Sequence, residues 1–334
     1  YNLPRHAGTT YALANLYAIT HIERFKKGAE QAISYLAFLA SGKCKGPNFR
    51  CVANGRYASL GSSALALLAI AEYALATKDP TYDELGKNLA NFLLHMQRPN
   101  GSFRHMYDVQ KKRPIENMQL LYYAGEASLA LAKSYRAWGN RAYVDAAAKG
   151  IDDLVGPQMK QLPFRFAFGE EHWTCQAARA VWPEHKKPRY LEFCLDFAHY
   201  IGRQQWKPGE SAFDDFIGGY GFTPVMPPHA NGSGSRTEAN TSTYELALFH
   251  GHGSAAVKKQ IKYALAHILR HQRRPENCWL CKNPVHASGA VATSPIEPEV
   301  RIDTVQHTTT GLIRAYNALW GKKRPAHEQR RRPG

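Results

Sequence analysis

The residues of this chain that could move protons gather where helices are expected to begin. The stretch "VRIDTVQHTTTGLIRAY" places Arg301, Asp303, Gln306 and His307 ahead of an ordinary apolar helical run. "EEHW" does the same with Glu170, Glu171, His172 and Trp173, "RTEANT" with Arg236 and Glu238, "YYAGEASLAL" with Tyr122, Tyr123 and Glu126, and "RHAGTTYALANLY" with Arg5 and His6. Two chemistries suit this inventory. Paired carboxyls, one neutral and one ionised, can protonate a leaving group and activate water. The candidates are Glu126, Glu171, Glu238 and Asp303, and Glu126 stands out because Gly125 precedes it and Tyr122 lies four residues before it. Alternatively, histidine and tyrosine beside a cation could take the C5 proton of a uronic acid. His6, His105, His172 and His307 with Tyr11, Tyr122 and Tyr123 supply those groups, and His172 and His307 join the catalytic candidates. Arg5, Arg236 and Arg301 would hold acid groups. His6, Arg104, His105, Tyr122, Tyr123, Trp173 and Gln306 complete the expected substrate contacts. Helix capping accounts for Ser62, Thr237 and Asp303 but not for the histidines, Trp173 or Gln306.

Helices must position these groups, because apolar spacing is helical nearly everywhere. Helices are expected at about 6–21, 22–41, 61–77, 81–97, 117–138, 140–155, 170–182, 188–206, 237–250, 254–273 and 303–320. "FRCVANGRYASL" reads as a short β-hairpin turning at Asn54-Gly55. Alternate helices recur roughly every 53–67 residues, the mark of stacked helical hairpins that could form an open solenoid or close into a ring of six inner and six outer helices. The even-numbered helices are amphipathic, as an outer layer should be. The odd-numbered ones are rich in Ala and Gly, pack on all sides, and carry their polar residues early. In a ring of antiparallel hairpins the inner helices all run one way, so their polar starts would share one mouth. Eleven helices are legible; a twelfth would precede Tyr1 or be missing. Two loops, 98–108 ("RPNGSFRHMYD") and 214–224 ("DDFIGGYGFTP"), add Gly-rich aromatic segments suited to flat hydroxylated rings. One toroid domain over 1–321 and a disordered basic tail over 322–334 follow.

Forty-three Lys and Arg against 27 Asp and Glu give a net charge of +16, a field that favours anionic partners. No run of 18 apolar residues occurs, so no transmembrane segment is expected. Nucleotide-binding, zinc-protease and nucleophile-elbow motifs are absent; no cofactor, no metal and no nucleic-acid partner is expected. Six cysteines are few for a disulfide scaffold. Cys44 and Cys51 could pair in an oxidising compartment, Cys278 and Cys281 with His286 could contribute to a metal site, and inert thiols are the other possibility. A periplasmic or secreted location is slightly favoured, and an upstream domain could precede Tyr1.

The hairpin period, the polar starts and the Gly-rich loops resemble the six-hairpin (α/α) toroid superfamily of carbohydrate-active enzymes. The segments "YNLPRHAGTTYALANLY", "YYAGEASLAL", "EEHW" and "RIDTVQH" look like signatures of a bacterial family of this type. The chain departs from the zinc-dependent lanthionine cyclases in lacking a Cys-His pair on an inner helix. The resemblance implies an all-α (α/α)6 toroid with a short β-hairpin insertion. It also implies inner-rim Asp or Glu as acid and base in a hydrolase, or His and Tyr in a lyase or epimerase. The expected activity is a glycoside hydrolase on an anionic or uronate-containing polysaccharide or oligosaccharide. A lyase or epimerase is the second reading, and a non-catalytic scaffold for anionic polymers the third.

Overall fold

The most apolar stretch, Leu60–Thr77, forms a helix buried on nearly every side, and the first half of the chain is built around it. The computed structural model describes residues 2–158 and 172–321, apart from Lys43, Lys45, Ala212, Pro224, His252 and Leu280. Among the described residues there are eleven helices of nine residues or more: α1 (Leu3–Thr20), α2 (Glu23–Ser41), α3 (Leu60–Thr77), α4 (Asp83–Met96), α5 (Tyr123–Trp138), α6 (Arg141–Asp153), α7 (Trp173–Val181), α8 (Pro188–Gly202), α9 (Ala230–Phe249), α10 (Ala255–His271) and α11 (Ile302–Leu319). The tail over 322–334 lies outside the described residues. The chain divides into two compact units. Unit 1 comprises Tyr1–Arg165, Gln176–Tyr190 and Gly321–Gly334; unit 2 comprises Phe166–Cys175 and Leu191–Trp320.

In unit 1, α1, α3 and α5 pack side by side, and α2, α4 and α6 cover them. The covering helices have one wet face, whereas α3 and α5 are lined by Ala, Gly, Ser and Leu and are buried all round. Helix α3 is long and apolar enough to cross a membrane, yet 78% of it is buried inside the protein. Its one carboxylate, Glu72, is held by Lys133 of α5 at 2.8 Å. The predicted hairpin forms β1 (Ala53–Asn54) and β2 (Tyr57–Ser59), and it continues into β3 (Met106–Asp108) and β4 (Arg113–Ile115) as one antiparallel sheet. The 98–108 segment is therefore part strand, not an open aromatic loop. Phe103 and Tyr107 face inward, and Tyr107 packs against Phe49 and Phe92.

In unit 2, α9 packs against α10 and α11. Ala198, Val257, Ile261, Leu265 and Ala315 form the apolar core between the outer helices and α11. Helix α9 begins at Ala230, not at 237. Its first turns, "ANGSGS", have loop composition, but close packing overrides that preference. A Cβ on Gly234 would lie 2.5 Å from the carbonyl carbon of His307 and 2.6 Å from the Thr308 nitrogen, so only a glycine lets α9 approach the backbone of α11 this closely. Several buried hydroxyls along these helices satisfy themselves on the preceding turn. Thr237 donates to the Ser233 carbonyl at 2.7 Å, Ser242 to Glu238 at 3.0 Å and Thr308 to Thr304 at 2.8 Å. The 214–224 loop also differs from expectation. Tyr220 is fully buried, and Asn240 donates to its hydroxyl at 2.9 Å, so this ring serves the core.

Replacing Gly234 with Ala should force α9 and α11 apart and cost about 1–3 kcal/mol, the usual penalty of overpacking; the midpoint of urea unfolding reads it. A second expectation concerns pH. Burial pushes His105 down to about 4 and His267 down to about 3, and in both cases nearby Arg side chains add to the effect. The folded state refuses protons that the unfolded chain accepts below about 6.5. Stability should therefore fall as pH drops from about 6.5 toward 4, and His105→Asn should flatten that slope in melting temperature against pH.

Candidate functional site

Three polar side chains of unit 2 converge in its interior. His172 immediately precedes α7, Glu238 lies in the third turn of α9 and His307 in the second turn of α11. Glu238 is 0% exposed, His172 4% and His307 9%. His307 Nδ1 lies 3.0 Å from Glu238 Oε2, and His172 Nε2 lies 3.8 Å from the same oxygen. The hydroxyl of Thr310 donates to the other oxygen, Oε1. The two imidazoles meet edge to face with centroids 5.0 Å apart, and the Trp173 ring packs on both, at 4.7 and 5.9 Å.

Burial alone would raise the Glu238 pKa, but the opposing pull is larger. The charge and hydrogen bond of His307, with further attraction from His172 and Arg314, hold the carboxyl below its ordinary value. The group is therefore a carboxylate at neutral pH, and Nδ1 of His307 must donate to it. That fixes the His307 tautomer, with the proton on Nδ1. The arrangement is an imidazole dyad oriented by one anion. The same three side chains offer one ligand atom each within 4.8 Å of one another, so they are also the set in the described residues that could hold a cation.

The other expected residues fall into separate groups. Asp303 is engaged by Arg301 through two hydrogen bonds, at 3.1 and 2.6 Å, so each neutralises the other. Arg236 is 1% exposed and lies over the rings of Tyr220 and Phe222, at 5.6 and 5.7 Å. Gln306 is buried. Glu171 lies outside the described residues. In unit 1, Glu126 is buried in the first turn of α5 beside Tyr123, whose hydroxyl burial pushes up while a hydrogen bond with Ser59 opposes it. Tyr122 caps that helix, its carbonyl accepting from the Glu126 amide at 3.0 Å. His105 accepts the Leu120 amide at 2.7 Å and packs near Tyr123. Arg104 is paired with Glu116 at 2.6 Å. Arg5 is half-buried at the start of α1, its amide donating to Asn2. A ring nitrogen of His6 donates to the Ala32 carbonyl at 3.0 Å, so this imidazole ties α1 to α2.

Two structural features escaped sequence reasoning. Thr310 was legible only as one of three threonines at a polar helix start; its burial within an otherwise apolar run was the available signal. The metal alternative for Cys278 and Cys281 gives way to a disulfide between them, and Cys175 pairs with Cys194, a bond that no spacing suggested.

No protein-family profile matches the sequence, and no curated protein matches it. Solved structures do match in fold. A D-mannose isomerase aligns with a TM-score of 0.68 at 13% identity, covering 96% of this chain and 88% of that one. A cellobiose 2-epimerase from Bacillus thermoamylovorans aligns at 0.66 and 12% identity, covering 94% and 87%. A GH76 α-mannanase from Bacteroides thetaiotaomicron aligns at 0.63 and 10% identity, covering 96% and 88%. At such identities the likeness speaks for fold alone, and that fold is the (α/α)6 toroid class with a small antiparallel sheet added.

Proposed function

We propose that the chain is a carbohydrate-active enzyme that works by proton transfer at a sugar carbon, as an epimerase or isomerase does. The observation that carries this reading is the pair of imidazoles, His172 and His307, set edge to face against one fully buried carboxylate. A base must take a proton from carbon and an acid must return one. Imidazole can act as either a base or an acid, and two of them suit both tasks. Glu238 would not itself exchange protons with substrate. It stabilises whichever imidazole becomes the cation, and it keeps Nδ1 of His307 engaged. An acidic sugar fits best, because the carbon next to its carboxylate has a weakened C–H bond and the chain carries a net charge of +16. Arg301 is committed to Asp303, so recognition of that carboxylate falls on other cationic groups.

Two of the carboxylate candidates, Glu238 and Asp303, lend less support to a two-carboxyl hydrolase. Glu238 is held ionised by imidazole, and Asp303 is paired with Arg301. The isomerase and epimerase among the similar structures agree with the proton-transfer reading, and the mannanase among them keeps hydrolysis as the outcome to test against.

Incubation with uronate-containing oligosaccharides and free sugars in deuterated water should place one solvent deuteron at a stereocentre of the product, with product mass unchanged in ordinary water. His172→Asn and His307→Asn should each slow exchange by about 10²-fold or more, the usual contribution of a positioned acid or base. New reducing ends without exchange would make the enzyme a hydrolase and overturn the proposal. Absorbance of an unsaturated uronate would keep proton abstraction but make the reaction an elimination. Activity lost to a chelator and restored by Zn²⁺ or Mn²⁺ would assign the cluster to a cation instead.

A further inference from the structure

All six cysteines are paired. Cys44 bonds Cys51, Cys175 bonds Cys194 and Cys278 bonds Cys281, with Cα separations of 5.3, 5.6 and 5.2 Å, inside the window that a disulfide requires. Reducing thiol pools keep such pairs open in the cytosol of most organisms, whereas secreted and periplasmic chains close them.

The middle bond has a particular position. Helix α7 has nine residues, too few to hold a helix by its own hydrogen bonds in water. Cys175 sits in its first turn, three residues after His172, and both Cys175 and Cys194 are fully buried. The covalent tie runs to α8, a helix of 15 residues. It fixes the segment that presents one imidazole of the dyad at the end nearest that imidazole.

We infer that this chain matures in an oxidising compartment, that the Cys175–Cys194 bond positions His172, and that the substrate is an acidic glycan met there, as a polymer or its oligosaccharides, and not a nucleotide-activated sugar. The substrate and the positioning of His172 rest on the proton-transfer reading; the disulfide pairing and the compartment do not. Each bond forms from two thiols with loss of two protons and two electrons, accepted by a disulfide-carrying oxidant of that compartment. The net charge of +16 suits a polyanion, and the chain has no phosphate-cradling glycine loop of the kind that binds nucleotides.

The test uses the full chain recovered from an oxidising secretory route. Alkylation before reduction, followed by peptide mass mapping, should find no modified cysteine and three linked peptides, 44–51, 175–194 and 278–281. Free Cys175 and Cys194 in folded, secreted protein would overturn the assignment. The double variant Cys175→Ala/Cys194→Ala, assayed well below its melting temperature, should lose at least tenfold in kcat with KM little changed. Unchanged kcat would remove the positioning role. If that variant does not fold, the same comparison is made on wild-type protein before and after reduction under native conditions. Exchange of solvent deuterium is then measured on polygalacturonate and polymannuronate oligosaccharides and on UDP-glucuronate. Exchange on the oligosaccharides alone is expected. Exchange on the nucleotide sugar alone would overturn the substrate class and leave the dyad intact. Absence of exchange on all three, with the disulfides in place, would sink the proton-transfer reading and the substrate class with it, leaving the disulfide assignment standing.

Discussion

Glu238 has no contact with water, and keeping it charged is the constraint on which the centre of unit 2 depends. Moving a carboxylate out of water costs several kcal/mol unless its oxygens are met by donors and by positive charge. Here one oxygen faces two imidazoles and the other receives a threonine hydroxyl. The helices that supply these partners must come close and stay close. The interior faces of α9 and α11 accordingly carry Gly, Ser and Thr where a typical buried helix would carry Leu and Ile.

Small hydroxyl residues let a helix be buried without either a large apolar side chain or an unpaired polar one. Thr237, Ser242, Thr243 and Thr308 each donate to a carbonyl one turn back. The wall they build is polar in composition, and the cluster of His172, Glu238 and His307 lies within it. The amphipathic helices outside supply the conventional apolar burial, through residues such as Ile261, Leu265 and Val257.

Much of this was legible in the sequence. Eleven helices appear near their expected positions, with the amphipathic and all-buried sets as read, because periodicity reports burial directly. His172, Glu238, His307 and Trp173 were all among the candidates, since their types do not suit buried helix starts without a purpose. What could not be read was their convergence. Glu238 and His307 are 69 residues apart, and only packing brings them together. The start of α9 was misplaced because "ANGSGS" has the composition of a turn, and tertiary contact outweighed it. Tyr107 and Tyr220 looked like rings for stacking on sugars because they stand among glycines and polar residues. Local composition says nothing about which way a ring points, and both turned inward. The Cys175–Cys194 bond was invisible because 19 residues separate its ends and no spacing rule links them.

The close approach at Gly234 has a mechanical meaning. There α9 meets the main chain of α11 at His307 and Thr308, not a side chain that could rotate aside. Backbone against backbone is a hard stop. It acts as a ruler laid between the helix that carries the carboxylate and the helix that carries its imidazole. Warming, a change of solvent or the arrival of a ligand would more easily move rings and loops elsewhere in the unit than shorten that gauge.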